Sequence, residues 1–136
     1  MSLLAVQAAL ETKLKSVDPT FPTAWSNTVF TPTVGQAHQL PTLLPAEPDN
    51  SVAGASPPYQ DRGLFQITLN FPQGNGSKDA LTRAMLIRNS FPVGLSLVSG
   101  GITTVIETTP EIGSGLNEGP WYQIPVRVRW YANIQS

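Results

Sequence analysis

The chain contains no cysteine, and its 136 residues include a single histidine. Without thiols, a disulfide framework, a thiolate metal site and a cysteine nucleophile are all excluded. His38 has no acidic or nucleophilic neighbour in the sequence, so no catalytic triad is indicated. The acidic residues show no metal-ligand spacing and are interpreted as solvated loop charges: Asp49, Asp61, Glu107, Glu111 and Glu118. We therefore expect no enzymatic activity and no cofactor.

Charged residues are also scarce, at 12% of the chain, and the formal net charge is only −1. This balance provides no general basic field for nucleic acid or anionic lipid. No apolar run approaches the ~20 residues that a membrane-spanning helix needs, and the apolar amino terminus lacks the positive start of a signal peptide. We expect no membrane association. Apolar residues near the amino terminus instead recur at the spacing of an amphipathic helix: Leu3, Val6, Leu10 and Leu14.

Proline and glycine, in contrast, are abundant, with 13 and 11 residues. Pro19 and Pro22 are expected to end the first helix. The length and the 40% hydrophobic content suit a single domain over residues 1–136. Within it, the proline-rich segment 45–62 is predicted to be an extended loop or arm, with a plain surface loop as the alternative.

The most regular stretch runs from Tyr59 to Gly94. Apolar and polar residues alternate between Phe65 and Phe71, which is the two-residue period of a strand with one buried face. Pro72 ends this strand, and a glycine-containing turn follows. Ser77 is placed to cap a helix whose apolar residues recur at helical spacing: Ala80, Ala84, Ile87 and Phe91.

A glycine-rich turn before a helix is also where phosphate groups bind. However, Gly74-Asn75-Gly76 lacks the third glycine of a dinucleotide fingerprint. Lys78 is displaced from the position that a nucleotide-binding loop requires. We interpret the segment as an ordinary turn between a strand and a helix.

Residues 25–31 and 37–44 are predicted to pair as a short antiparallel hairpin around the turn 32–35. Pro41 restricts the second of these strands to the edge of a sheet, because proline cannot donate a ladder hydrogen bond. An exposed edge is where another subunit can join.

The carboxyl-terminal part is expected to add three more strands. Residues 95–107 favour two short strands separated by glycines, whereas 109–120 reads as a long loop. From Trp121 onward, apolar residues occupy every second position, which predicts a long strand. Since strands outnumber helices and connections are short, we expect an α+β fold: a mostly antiparallel sheet with two amphipathic helices packed on one face.

Arg127 and Arg129 lie on one face of this last strand, whose other face is apolar. Three interpretations remain open: a solvated sheet face, intersubunit ion pairs or the lining of a channel, and nucleic-acid stacking beside nearby aromatic residues. With His38 and Arg62, these arginines are the candidate subunit-interface or channel-lining residues.

Taken in order, several motifs resemble those of the tail terminator, or tail completion, proteins of long-tailed bacteriophages, and the similarity covers nearly the whole chain. The specificity lies in the order and spacing of the motifs. The motifs are residues 24–32 (AWSNTVFTP), 63–67 (GLFQI) and 71–76 (FPQGNG), then Phe91 with Gly94, and the closing segment 121–126 (WYQIPV).

The resemblance implies a structural virion protein with no catalytic residues. It implies a ring, usually a hexamer, that caps the tail tube, ends its polymerisation and provides the surface for head–tail joining. The implied partners are further copies of the chain, the tail tube protein and a head–tail connector protein, with DNA only as passing cargo. The implied location is the neck-proximal end of the virion tail, after assembly in the host cytoplasm.

Strand 37–44 and loop 45–62 are the expected contacts with a neighbour or the tube. Another neck protein, such as a head completion or stopper protein, is the first alternative. A small single-stranded nucleic-acid binder is the second, although the low net charge argues against it.

Overall fold

A computed structural model describes residues 2–25, 29–32, 35–46, 59–74 and 77–134 of the chain. Over these residues, a seven-stranded antiparallel sheet carries two helices on one face, which confirms the predicted α+β class. The elements run in the order α1 (Ser2–Val17), β1 (His38–Pro45), β2 (Tyr59–Pro72), α2 (Lys78–Ser90), β3 (Ser96–Ser99), β4 (Ile102–Ile106), β5 (Glu111–Ile112), β6 (Leu116–Glu118) and β7 (Trp121–Ile134). Neither of the two helices in the described ranges is long and apolar enough to cross a membrane.

The sheet is organised around β7. Strand β2 pairs with one side of β7 along its full length, from Tyr59 opposite Ile134 to Pro72 opposite Trp121. Strands β4, β5 and β6 share the other side of β7 in turn. The main path of the sheet is β1-β2-β7-β4-β3, so β1 and β3 form its two edges. The prediction that Pro41 lies in an edge strand is confirmed.

The core lies between the sheet and the helices, as the alternating pattern predicts. The inward residues of β2 and β7 are almost completely buried: Phe65, Ile67, Leu69, Ile124, Val126, Val128 and Trp130. The helices contribute the residues that recur at helical spacing: Val6, Leu10 and Leu14 from α1, and Ala80, Ala84 and Ile87 from α2. Because each large aliphatic side chain gains about 1.5–3 kcal/mol on full burial, this layer provides most of the driving force for folding.

Helix α2 begins where the sequence predicts, but the predicted cap is wrong in one respect. Ser77 is the N-cap residue, yet its side chain makes no capping hydrogen bond. Its φ of −101° and ψ of −4° are close to helical, whereas a hydroxyl cap usually requires an extended N-cap residue. At the other end of α2, Phe91 is buried in the core as expected.

The described residues do not form the predicted hairpin between 25–31 and 37–44. Trp25 and residues 29–32 belong to no strand, and β1 pairs with β2 instead. The preceding chain meets β1 in the parallel direction at a bridge between Thr23 and Gln39, an orientation that a tight hairpin cannot provide. Residues 26–28 and the turn residues 33–34 lie outside the described part of the chain.

Two other segments differ from the sequence prediction. Residues 109–120 contain β5 and β6 rather than only a loop, because the part of β7 that β4 leaves unpaired has backbone groups that need partners. The bounds 45–62 of the predicted arm are wrong at both ends, since Pro45 belongs to β1 and residues 59–62 belong to β2. Residues 47–58 lie outside the described part of the chain.

The two strands predicted within 95–107 are confirmed as β3 and β4. Gly100 and Gly101 connect them, with φ values of 56° and 77°. Positive φ at both central residues is typical of a two-residue hairpin turn, and glycine adopts it without steric cost. The resulting hairpin makes β3 the outermost strand on its side of the sheet.

Candidate functional site

The sheet face opposite the helices is the candidate functional surface, and we call it the uncovered face. It carries the residues of β2 and β7 that alternate with the core, and neither described helix packs on it. The register places Arg62 opposite Tyr131, Leu64 opposite Arg129 and Gln66 opposite Arg127. The structure therefore brings Arg62, Arg127 and Arg129 onto one surface.

Arg127 is held in place by its neighbours on both sides. Its Nε donates to Oε1 of Gln66 on β2 at 3.2 Å, and its Nη1 lies 3.3 Å from Oε1 of Glu111 on β5. The Glu111 side chain is 70% exposed, so solvent screens this ion pair and its contribution to stability is about 0–1 kcal/mol. These contacts orient the guanidinium more than they stabilise the fold.

Arg62 forms a second ion pair, with Nη2 at 3.4 Å from Oε2 of Glu107. Glu111 in β5 and Glu107 directly after β4 are therefore exposed ion-pair partners of these arginines, whereas the sequence suggested only solvated loop charges. Asp61 also differs from that interpretation, because it lies in β2 and is buried. The sequence could not indicate these positions, since they depend on which strands lie side by side.

Arg129 is the arginine of the uncovered face that has no acidic partner among the described residues. It is exposed and borders a small depression of about 110 Å³ that Leu64, Thr108, Glu111 and Arg127 also line. Because two of the three arginines are paired, the described side chains at the centre of this face leave one positive charge, on Arg129, without an acidic partner. A guanidinium in this position is available for a carboxylate of another subunit or for a phosphate group.

His38 lies away from these arginines, at the other end of the sheet. Its ring packs edge-on against Trp121, with centroids 4.7 Å apart, and lies 5.3 Å from the ring of Phe30. Only 7% of the residue is exposed. Burial lowers the pKa of His38, and a backbone hydrogen bond with Gln36 opposes this only in part. The structure thus places His38 in an aromatic cluster beneath the surface.

The sequence prediction missed Arg83, the most buried arginine of the described chain. Its guanidinium lies 4.0 Å from the ring centre of Phe21, and Nη2 donates to Oε1 of Gln39 at 3.2 Å. Nη1 is 3.7 Å from Oδ2 of Asp18, while desolvation lowers the pKa of Arg83. Its position three residues after Ala80 was the signal in the sequence, because that spacing puts it on the buried face of α2.

Two wider depressions lie beside α1. One, of about 260 Å³, separates the helix from β3, and the other, of about 320 Å³, is bordered by Trp25. No group of three or more histidine, aspartate or glutamate side chains in the described residues is arranged to hold a metal ion.

Comparison with known proteins gives a consistent result. A family model described as phage tail terminator protein matches residues 5–130, which is 126 of the 136 residues. A protein of known structure is 30% identical to the chain and superposes with a TM-score of 0.74; the match covers 100% of this chain and 97% of that chain. No curated protein matches the sequence. The similarity in sequence and in fold therefore extends over nearly the whole chain.

Proposed function

We propose, from the premise that the chain belongs to the phage tail terminator protein family, that it caps the tail tube and ends tube polymerisation. Membership makes the chain a structural component of the phage tail and hence of the virion. The capping role, the position at the neck and the joining of head to tail are the proposal. The observation that carries it is the family match across residues 5–130.

The proposed form is a ring of copies of this chain, a hexamer by the family resemblance, seated on the last ring of the tube. A closed ring needs a head-to-tail interface between two different surfaces of the subunit. The two unlike edges of the sheet, β1 and β3, provide two such surfaces. The ring faces would contact the tail tube protein and a head–tail connector protein, and DNA would pass through the channel only as cargo.

The uncovered face is the surface that we assign to a neighbouring subunit or to the channel. Its alternating charges, with no acidic partner for Arg129 among the described residues, would provide orientation and specificity more than affinity. Arg62 and Arg127 would contribute with their carboxylate partners. His38 would act only by supporting the edge strand β1, because it is buried.

The capping role can be tested with purified protein and polymerising tail tube subunits. We expect the added protein to stop elongation, so that the final length of the tubes is smaller at higher protein concentration. Rings should be visible at the tube ends by electron microscopy. Binding to head connectors with no effect on tube length would instead support a head completion or stopper protein. A shift of labelled single-stranded oligonucleotide at low salt would favour the nucleic-acid binder.

A further inference from the structure

The outer face of α1 carries two opposite charges one turn apart. The residues of this face recur every three or four positions along the helix and so form one stripe: Leu4, Ala8, Glu11 and Lys15. The stripe lies opposite the buried residues of α1, and Leu4 is 62% exposed. We call it the α1 stripe. Glu11 and Lys15 form no ion pair with each other, so both charges are available to another surface.

Glu11 is a half-buried carboxylate without a cation among the described residues. Its Oε2 accepts a hydrogen bond from Nε2 of Gln7 at 3.3 Å. Burial raises the pKa of Glu11, and the hydrogen bond from Gln7 opposes this only in part. A cation from another molecule would compensate the cost of keeping this carboxylate charged.

The surroundings of Glu11 fit an arginine side chain. Glu11 and Trp25 border the depression of about 320 Å³ beside α1, together with Ala8, Thr12 and Lys15. A carboxylate accepts two hydrogen bonds from a guanidinium, and an indole ring stacks on its plane. Because Lys15 would repel an isolated cation, a matching surface should present a carboxylate next to its arginine.

The uncovered face presents such a pair of charges. Arg129 and Glu111 line the same depression of about 110 Å³, and the Glu111 side chain is 70% exposed. Glu111 lies opposite Arg127, so it is one strand away from Arg129 and two residues along. This places the two Cα atoms roughly 8 Å apart, against about 6 Å for Glu11 and Lys15 on the helix. Long side chains can close a difference of about 2 Å.

We propose that the α1 stripe of one subunit lies on the uncovered face of the neighbouring subunit, with Arg129 in the depression beside Glu11 and Lys15 next to Glu111. This contact rests on the proposed ring and identifies the counterpart of the uncovered face. Each surface offers one positive and one negative charge, so the two surfaces are complementary in charge. Because they are different surfaces, the contact is head-to-tail, as a closed ring needs.

The contact has to join two copies of the chain. Helix α1 packs on one face of the sheet through Val6 and Leu10, whereas Arg129 and Glu111 project from the other face. The sheet itself therefore separates the two surfaces within a subunit.

Exchanging the charges tests the pair of Glu11 and Arg129. Glu11→Arg and Arg129→Glu each place like charges together, and we expect either variant alone to reduce the yield of rings on tubes about tenfold or more. In an alternating ring made from an equimolar mixture, every contact joins either the two original charges or the two exchanged charges. The yield should therefore recover to within about threefold of the wild type.

A second mixture is the matched control for this recovery. Lys15→Glu should also weaken rings alone, because it faces Glu111 in the proposed contact. Mixed with Arg129→Glu, it leaves one contact in which all four side chains are carboxylates, and no recovery is expected. Glu118→Arg reverses an exposed charge on β6 and should form rings normally. Urea unfolding of every variant verifies that the subunit is folded.

Carbodiimide crosslinking tests the other pair in the unaltered protein. The reagent activates a carboxylate and joins it to a nearby amine, so it should couple Lys15 to Glu111 in rings of concentrated protein or on tubes. Rings that mix ¹⁵N-labelled and unlabelled chains identify the link as one between subunits by mass spectrometry. Lys13 lies on the β3 side of α1 and should not be coupled to Glu111.

The outcomes separate this contact from the capping role. Rings that cap tubes normally, without the Lys15–Glu111 crosslink and without recovery in the Glu11→Arg and Arg129→Glu mixture, would overturn the contact alone. Crosslinking and recovery in rings that leave tube length unchanged would support the contact and refute capping. A loss for Glu11→Arg without a loss for Arg129→Glu would indicate pairing between two α1 helices. That result, or coupling of Lys15 to the tail tube protein instead, would also overturn the contact.

Discussion

Arginine has three different roles in this chain, and the surroundings of each side chain determine which one applies. Arg83 is buried, stacks on Phe21 and donates to Gln39. Arg127 is half-buried and is oriented by two partners, whereas Arg129 is exposed and has no acidic partner among the described residues. Because a guanidinium remains charged in all of these settings, burial decides whether it organises the fold or remains available for binding.

Replacement of Arg83 tests its structural role. We expect Arg83→Ala to lower the free energy of unfolding by about 2–3 kcal/mol, because packing on Phe21 is lost and the side-chain Oε1 of Gln39 loses a buried donor. Arg83→Met should cost less, since it retains the apolar stem. Urea unfolding measures both, and Arg129→Ala is the exposed control, expected within about 0.5 kcal/mol of the wild type. A similarly small effect at Arg83 would contradict the role.

His38 predicts a pH dependence of stability. Burial lowers its pKa below the ordinary value of 6.5, so the unfolded chain takes up the proton at a higher pH than the folded protein. The free energy of unfolding should therefore fall as the pH drops through about 6.5 and continue to fall until the folded form also binds the proton. His38→Phe cannot be protonated and preserves a ring beside Trp121.

The measurement for His38 is urea unfolding of both proteins across this pH range. We expect the wild type to lose stability relative to His38→Phe as the pH decreases. The carboxylates are common to both proteins, so their titration cancels in this comparison. Parallel pH profiles would show that His38 protonates as easily in the folded protein as in the unfolded chain.

At the scale of elements, α1 shows how one buried stripe attaches a helix to the sheet. Leu10 is fully buried, whereas Leu4 on the same helix is 62% exposed. We expect Leu10→Ala to reduce the free energy of unfolding by about 2–5 kcal/mol, through lost burial and the cavity it leaves. Leu4→Ala makes the same chemical change and should cost less than about 0.5 kcal/mol. Equal losses in urea unfolding would mean that α1 packs through a different face.

The elements also show which features a sequence reveals. Alternation in β2 and β7, the stripe of α1 and the glycine turn after β3 are local patterns, and each one is confirmed. The pairing of strands is not a local property. Strand β1 pairs with β2 rather than with the preceding segment, and β5 and β6 form because part of β7 needs hydrogen-bond partners. The ion pairs of Arg62 and Arg127 follow from that pairing, so the sequence indicated the arginines but not their partners.

At the scale of the whole molecule, the subunit is asymmetric in a way that suits a polar assembly. One sheet face is covered by helices and the other presents charges, while the edge strand β1 contains Pro41 and Pro45 and no described strand lies beyond the edge strand β3. A subunit with two unlike edges favours head-to-tail contacts over self-complementary ones. The family assignment and this asymmetry together support a ring more strongly than either does alone.

Arg129 provides the test that belongs to this scale. If it contacts a carboxylate of a neighbouring subunit, Arg129→Glu places two like charges together, and we expect ring formation on tubes to weaken about tenfold or more. The loss should shrink at high salt, because screening reduces an exposed repulsion. Lys78→Glu makes the same charge change at an exposed position of α2 and should leave ring formation unchanged.

A channel position for Arg129 predicts a different result from the same variant. Rings would form and cap tubes normally, but particles assembled with Arg129→Glu would release DNA at an altered rate, because the phosphate backbone would pass six reversed charges if the ring is a hexamer. Arg129→Gln, which removes the charge without reversing it, should then lie between the two. Normal ring formation together with normal DNA release in Arg129→Glu would leave Arg129 as part of a solvated sheet face, and the neighbour contact would have to be made elsewhere on the subunit.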